Sequence, residues 1–220
     1  MEIIKKIFET AKINPLFGGI VYSDFEKMFS CIEAKTQTYK KNAAVIIAGD
    51  NFEYIGLILS GCVQIIKEDI SGNVSILTEL AESDIFGEAF VCAGVNSPVT
   101  VLALEESEIL FINYSKIASV CSFACEFHSK LIENMMKFIA KKNLILNRKI
   151  EILSKRTTRE KLFEFFEMYK KNNEKKFTVP YNREEMAQYL CVDRSAMSNE
   201  LCKMREEGLL KFNKNSFEFL

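Results

Sequence analysis

The sequence predicts an α+β fold in three parts: a barrel of short β-strands, one long helix, and a helical C-terminal segment that ends in a small hairpin. Three observations support this prediction. Short apolar runs separated by turn residues fill residues 33–113, a helical pattern without glycine or proline follows at 128–153, and two helix-start signals precede a final pair of short strands. The predicted domains are 1–127, 128–154 and 155–220.

Composition places the chain among globular proteins. Its 220 residues are 48% hydrophobic, which is enough for one large domain or two modest ones. Because neither a run of about 20 apolar residues nor a signal-peptide pattern is present, we expect a cytoplasmic protein without a membrane segment. An odd number of scattered cysteines is a poor disulfide framework, so reduced thiols are expected. The seven are Cys31, Cys62, Cys92, Cys121, Cys125, Cys191 and Cys202.

The first two-thirds of the chain contain the predicted barrel. Two short helices, about 3–11 and 23–29, precede it and flank a break at Asn14-Pro15. The apolar runs that follow end at glycine, serine, aspartate or asparagine, a pattern typical of an all-β barrel or jelly roll. The predicted strands are 45–47, 54–59, 63–66, 74–80, 99–104 and 108–113. Strands and helices do not alternate, so a doubly wound sheet is not expected.

The long helix carries two apolar rows. One row is spaced alternately by four and three residues, as in a two-stranded coiled coil. It comprises Ile132, Met136, Ile139, Asn143, Leu146, Ile150 and Leu153. Asn143 would fix the register of a dimer through a hydrogen bond between chains. Alternatively, this seam packs on the β domain of its own chain. A second row could do that instead, and a helix that is apolar on both sides must bury both; its members are Leu131, Met135, Phe138 and Ile145. We expect one row on the β domain and one on a partner, hence a homodimer.

Helix caps divide the C-terminal segment. Thr157 and Glu160 match a capping box that starts a helix running to about residue 171. A short strand at 177–179 follows, and Asn182 caps the next helix. After a tight turn at Cys191-Val192, Asp193 caps a helix that ends near Gly208, and 209–212 and 217–220 form a hairpin.

The helix that Asp193 caps has one buried stripe and one polar face. Met197, Leu201 and Met204 form the stripe, whereas short polar residues and an arginine lie elsewhere. Such residues suit close approach to base edges, and a helix-turn-helix inserts the start of its second helix into the major groove. Lys203 and Arg205 are placed for phosphates. The expected DNA-binding residues are Arg183, Asp193, Arg194, Ser195, Ser198, Asn199 and Lys203.

The charge distribution agrees with this prediction. Residues 1–148 carry a net charge of −4, and residues 149–220 carry +3. The basic part of the chain is therefore the part expected to meet phosphates. The alternative for this segment is a helical module that docks another protein, which would show no salt-dependent affinity for DNA.

Three segments resemble the CRP/FNR family of bacterial transcription regulators. Phe86-Gly87-Glu88 and the small-residue loop to Ala103 resemble the family's phosphate-binding cassette, the long helix resembles its dimerisation helix, and residues 182–198 resemble its DNA-reading motif. The resemblance implies a homodimer that binds a palindromic site on double-stranded DNA through a winged helix-turn-helix. It also implies an effector at the barrel that shifts the dimer between two states, and RNA polymerase is a further candidate partner.

The chain departs from the family's pattern at the effector site. No basic residue lies between Gly87 and Ala103, where members that bind nucleotides hold the cyclic phosphate with an arginine. Cyclic AMP is therefore not the expected effector; a small apolar ligand, a redox signal, or no ligand remain open. The candidate pocket residues are Phe86, Gly87, Glu88, Val99, Thr100, Leu144 and Ile145. Ser195 and Asn199 replace a glutamate and an arginine of the family motif, so the preferred DNA sequence should differ.

Other functional classes find little support. A cupin-like metal enzyme needs several histidines in its strands, and residues 33–113 contain none. With His128 as the only histidine, which we expect on the surface or in a cap, neither a catalytic triad nor a multi-histidine metal site can form. An oxygen- or redox-responsive regulator that uses cysteine thiols or an iron–sulfur cluster, with Cys121 and Cys125 as a spaced pair, is the alternative. We predict no enzyme, no metal and no cofactor.

Overall fold

A computed structural model describes residues 2–118, 126–170 and 174–220. The chain forms two compact units, Met1–Ala140 and Lys141–Leu220. The boundary between them falls inside the long helix, and the predicted division into three domains stays a prediction. Cys121 and Cys125 lie outside the described residues.

The first unit is an antiparallel β-sandwich with helices before and after it. Helices α1 (Glu2–Ala11) and α2 (Tyr22–Cys31) come first, joined through a single 3₁₀ turn at Pro15–Phe17. The strands are β1 (Lys35–Tyr39), β2 (Ala44–Ile46), β3 (Tyr54–Ser60), β4 (Cys62–Glu68), β5 (Val74–Ala81), β6 (Ile85–Phe86), β7 (Thr100–Ala103) and β8 (Ser107–Asn113). Helix α3 (Glu88–Ala93) separates β6 from β7, and α4 (Tyr114–Ala118) follows β8.

The eight strands form two four-stranded sheets with the orders β1-β8-β3-β6 and β2-β7-β4-β5. The predicted α+β fold with a jelly-roll barrel is thereby confirmed. Two strands were missed. Strand β1 is mainly polar and exposed, and it joins the sheet through backbone pairing with β8, with Lys35 opposite Phe111. Strand β6 has only two residues, too few for an alternating pattern.

Strand β8 shows how the core is built. Ile109 and Phe111 point between the two sheets, whereas Leu110 and Ile112 point toward the helices, and all four are buried. Successive side chains of a strand leave opposite faces of the sheet, so the central part of β8, residues 109–112, is apolar at every position. The sheet β1-β8-β3-β6 is therefore covered on both faces.

Helix α5 (Glu126–Leu153) contributes its first half to the same core. Leu131 and Met135 are buried there, and Phe138 packs against the cluster. The amide of Asn134 fixes the helix to the chain after α1, because Nδ2 donates to the carbonyls of Leu16 at 3.0 Å and Gly18 at 2.8 Å. Three of the four residues of the second apolar row thus contact their own unit, and the fourth, Ile145, is exposed.

The second unit begins with the end of α5. It continues with α6 (Thr158–Glu167), β9 (Lys176–Thr178), α7 (Arg183–Leu190), α8 (Arg194–Glu206), β10 (Leu210–Asn213) and β11 (Ser216–Phe219). Its three strands pair in the order β10-β11-β9. Phe165, Phe166 and Phe217 are fully buried in its core, and so is Ile152 at the end of α5. Helix α6 ends at Glu167, a turn earlier than predicted. Among the described residues, no helix is long and apolar enough to cross a membrane.

We predict that Gly56→Ala destabilises the protein. A methyl group on Gly56 would overlap the ring of Phe86, which lies across this glycine. Overpacking of this kind costs about 1–3 kcal/mol of unfolding free energy, measurable by denaturant unfolding. Adding Phe86→Leu should recover part of the loss, because the smaller side chain leaves room for the methyl group. A double variant no more stable than Gly56→Ala would show that the ring is not the obstacle.

Candidate DNA interface

Two capped helices form the helix-turn-helix. The side-chain oxygen of Asn182 accepts hydrogen bonds from the backbone N–H groups of Glu184 and Glu185 at 2.9 and 3.0 Å, and the Glu185 carboxylate accepts from the backbone N–H of Asn182 at 2.7 Å. Asp193 caps α8 by accepting from the backbone N–H of Ala196 at 2.8 Å. Both predicted caps are confirmed, and α7 ends at Cys191, whose φ of +51° makes the tight turn.

Helix α8 presents a polar surface because its apolar stripe is buried in the core. Met197, Leu201 and Met204 are buried as predicted. Ser195, Asn199 and Lys203 are exposed, and Ser198 is half-buried. The exposed side chain of Arg194 forms an ion pair with Glu184 of α7, with 3.5 Å between Nε and Oε2. The carboxylate of Asp193 serves as the helix cap, which gives this predicted contact residue a positioning role.

Arg183 has a different environment from the one expected of a phosphate contact. Its guanidinium lies over the rings of Phe212 and Phe217, 5.0 and 4.9 Å from their centres. It is half-buried, and burial lowers the pKa of Arg183 more than the nearby Cys202 raises it. Cation–π contact of this kind favours a fixed guanidinium. Arg183 therefore holds the start of α7 to the β10–β11 hairpin.

The hairpin turn and the start of α7 enclose a cleft. It has a volume of about 540 Å³, and its lining includes Arg183, Tyr181, Lys214 and Asn215. Asn215 anchors the turn by donating from Nδ2 to the carbonyl of Val179 at 3.2 Å. Lys214 sits at φ +53°, a conformation that turn residues such as asparagine and glycine adopt more readily. Sequence reasoning recognised this hairpin but did not single out Lys214 or Asn215.

A cluster of charges ties α6 to α8. Arg159, in the first turn of α6, donates to the carboxylates of Glu200 and Glu207. These hydrogen bonds raise the pKa of Arg159, and the one from Arg159 lowers the pKa of Glu207 below its ordinary value. The sequence contains no pattern that joins residues 41 and 48 positions apart, so this cluster was not predicted.

The cassette residues lie together at one end of the sandwich. Phe86 is buried against Gly56, and Gly87, at φ +88°, precedes α3. Glu88 is buried as the first residue of α3. Val99 packs against the core between the sheets, and the Thr100 hydroxyl accepts from the backbone N–H of Ala48 at 3.0 Å. Leu144 and Ile145, expected in the same pocket, belong to the second unit and are exposed.

The cassette residues do not fit a cyclic nucleotide phosphate. The loop from Gly87 to Ala103 contains no basic residue, and the charged group that the structure buries there is the carboxyl of Glu88. Taking a phosphate out of water without a cation to receive it is strongly unfavourable. The side chains nearby form an aromatic cluster between the sheets that includes Phe52, Tyr54 and Phe111, with ring centres 5.8–6.3 Å apart.

No metal site is formed among residues 2–118, 126–170 and 174–220. In those ranges no group of three histidine, cysteine, aspartate or glutamate side chains could hold a metal ion. Burial raises the pKa of both the Cys62 and Cys92 thiols, which disfavours the reactive thiolate. His128 is buried, so its expected place on the surface or in a cap is wrong, and burial lowers its pKa more than the backbone of Lys116 raises it.

Comparison with known proteins shows which folds this architecture resembles. Residues 36–122 match the family model of the cyclic nucleotide-binding domain. The sandwich is thus similar to that domain, and the predicted resemblance to the CRP/FNR family is confirmed in the fold. No curated protein sequence matches the chain.

Several solved structures share the fold. The Thermus thermophilus catabolite activator protein is 17% identical, with a TM-score of 0.51 over 94% of both chains. The global regulator CLP of Xanthomonas campestris, described as c-di-GMP responsive, is 16% identical, with a TM-score of 0.52 over 90% of this chain and 99% of its own. The sensor domain of the transcriptional regulator DNR from Pseudomonas aeruginosa is 17% identical, with a TM-score of 0.56 over 71% of this chain and 99% of its own.

We predict that acid weakens the second unit through two carboxylates. Hydrogen bonds from Thr157 and Arg159 lower the pKa of Glu160 and Glu207, respectively, below the ordinary value of 4.5. A folded pKa below the unfolded one contributes stability that is present above pH 4.5 and lost as the pH falls through the folded value. Helical circular dichroism during thermal unfolding, repeated from pH 7 to 3, measures this loss.

The variants Glu160→Gln and Glu207→Gln should each flatten the acid side of that profile, because the titrating group is gone. Glu206→Gln, which removes the exposed carboxylate of the last residue of α8, next to Glu207, is the matched control. An unchanged profile in both test variants would contradict the assignment.

Proposed function

We propose that this protein is a homodimeric DNA-binding transcription regulator that reads a palindromic site through α8. Its sandwich domain would receive a signal other than cyclic AMP. The observation that carries the proposal is the exposed surface of α8. The helix is capped at its start and packed through a buried stripe, and it exposes serine and asparagine where base edges would lie. The proposed contacts to bases are Arg194, Ser195, Ser198 and Asn199, and those to phosphates are Lys203, Lys214 and Arg205.

The β10–β11 hairpin supports this proposal as the wing of a winged helix. Arg205 of α8 lies over the ring of Phe212 at 5.1 Å, the same ring that Arg183 of α7 contacts. The hairpin therefore contacts an arginine at the start of α7 and one near the end of α8 through the same ring. Lys214 at the hairpin turn would meet the phosphate backbone beside the groove that α8 enters, which positions the protein without specifying sequence.

The proposed dimer rests on the exposed side of α5. Met136, Leu146 and Ile150 are each at least 60% exposed, although a soluble chain seldom leaves a row of large apolar side chains in water. Asn143 lies between them and accepts a hydrogen bond from Asn147 at 2.8 Å, so its amide is oriented on the same side. Ile132 and Leu153, at the two ends of the predicted seam, are half-buried in their own units. Leu144 and Ile145 are exposed beside the row and would also lie near the partner.

Selection of DNA from a random duplex pool tests the proposed function. We expect a palindrome to be enriched, with two half-sites about one helical turn apart. On the selected site, Asn199→Ala should relax the preference at one position of each half-site, at about 1–3 kcal/mol, and leave the salt dependence of binding unchanged. Lys203→Ala should weaken binding to all sequences and reduce the salt slope by about one.

Lys5→Ala, which removes an exposed cation from α1 in the first unit, is the control for both variants. Absence of enrichment, together with an affinity for duplex DNA that does not fall with salt, would refute the proposal. That result would favour a module that docks another protein.

Sedimentation equilibrium tests the dimer. Leu146→Asp should weaken self-association at least about tenfold, because an unpaired charge would be buried in the seam. Leu77→Asp makes the same change on exposed strand β5 and should have no such effect. Equal behaviour of the two variants would show that this row of α5 is not the interface.

A further inference from the structure

We propose that Arg159 is a positioning residue for DNA recognition. It sets the fine rotation of α8 about its own axis, within the small range that the buried stripe leaves open, and thereby the angle at which the proposed base contacts meet the bases, although it does not touch DNA itself. This inference rests on the proposed function, and it assigns a role to a residue outside the helix-turn-helix.

The contacts of Arg159 use its whole guanidinium. Nη1 and Nη2 donate to the two carboxylate oxygens of Glu207 at 2.7 and 2.8 Å, and Nε donates to Glu200. The planar fork thus meets two carboxylates with three donors. Such bidentate geometry fixes direction as well as distance, which a lysine ammonium does not.

The two carboxylates lie on one flank of α8. Glu200 and Glu207 are seven residues apart and therefore share a side of the helix, two turns from each other. At roughly 100° per residue, Ser195 and Ser198 lie more than about 120° away around the helix axis. Arg159 therefore acts on the flank away from these proposed base contacts, and replacing it removes no base contact; its expected effect on sequence recognition comes from turning the helix.

The remaining contacts of α8 do not fix this angle alone. The buried stripe of Met197, Leu201 and Met204 consists of unbranched or flexible apolar side chains, and two of them are methionines that adapt to small shifts. On the opposite flank, Arg205 contacts the ring of Phe212, an attraction with loose angular demands. Arg159 supplies the directional contact. Because its side chain is one-third exposed, its share in overall stability is modest.

The experiment compares affinity for the palindrome selected by the wild-type protein with affinity for a shuffled duplex, at several salt concentrations. Arg159→Gln should weaken binding to the palindrome about tenfold, within the range that one bidentate base contact contributes to discrimination. Affinity for the shuffled duplex and its salt slope should stay unchanged, because no phosphate contact is lost. Arg159→Lys should give an intermediate loss, since it keeps the charge without the fork.

Glu207→Gln separates positioning from electrostatics. Removing a negative charge from the proposed DNA-binding unit should, by electrostatics alone, strengthen binding to every sequence. A positioning role instead requires that the ratio of specific to nonspecific affinity falls, as it does for Arg159→Gln. This variant also carries the test if Arg159→Gln does not fold, and thermal unfolding confirms that each variant is native at the assay temperature.

Lys170→Gln is the matched control, because it removes a cation from the other end of the same segment, where Lys170 pairs with Glu167. An unchanged affinity ratio in the Arg159 and Glu207 variants would overturn the positioning role. So would an equal loss on both duplexes with a salt slope reduced by about one, which would make Arg159 a phosphate contact. A wild-type protein that does not discriminate between the duplexes would refute the proposed function itself.

Discussion

The packing of one apolar stripe decides the organisation of the C-terminal unit. Met197, Leu201 and Met204 enter a core that already contains Phe165, Phe166 and Phe217, and burial of side chains this large contributes about 1.5–3 kcal/mol each. Once that stripe is buried, α8 can rotate about its own axis only by a small angle. The caps at Asn182 and Asp193, the αL turn at Cys191 and the charged cluster on α6 all refine a position that the stripe has defined.

The elements that could be predicted from the sequence are those whose signals lie within a few neighbouring residues. Capping boxes satisfy backbone groups within four residues, and the stripe of α8 repeats within two turns, so Thr157, Asn182 and Asp193 could be recognised without knowledge of the fold. Strand β1 was not predicted because its residues are mainly polar and it is held in the sheet by backbone pairing with β8. The charge cluster of Arg159, Glu200 and Glu207 was not predicted for a related reason. The partners of Arg159 lie far from it in the sequence, and in the sequence alone an arginine in a helix cannot be told from any solvent-exposed charge.

The surroundings of two residues differ from those that the sequence suggested. Arg183 reads in the sequence as a cation at the start of a helix, free to meet a phosphate, but the structure places it on the rings of Phe212 and Phe217. His128 was expected near solvent because it is polar and lies at a helix start, yet its ring is buried against Phe127, with 4.7 Å between the ring centres. The rings beside Arg183 belong to the β10–β11 hairpin and reach it only through tertiary packing. For His128, the apolar spacing of the helix does not show which of its faces is buried.

In α8, the residues that pack the helix into the core are separate from the residues proposed to contact bases. This separation has a consequence for how proteins of this kind diverge. The side chains that hold the helix and the side chains proposed to touch bases are different residues on different faces, and Ser195 and Asn199 make no contribution to the core. In the proposed regulator, substitutions at those two positions would therefore change the preferred DNA sequence without a loss of stability. After gene duplication, two copies of such a regulator would be able to acquire separate sets of target genes through a few surface changes, while the core beneath them is preserved.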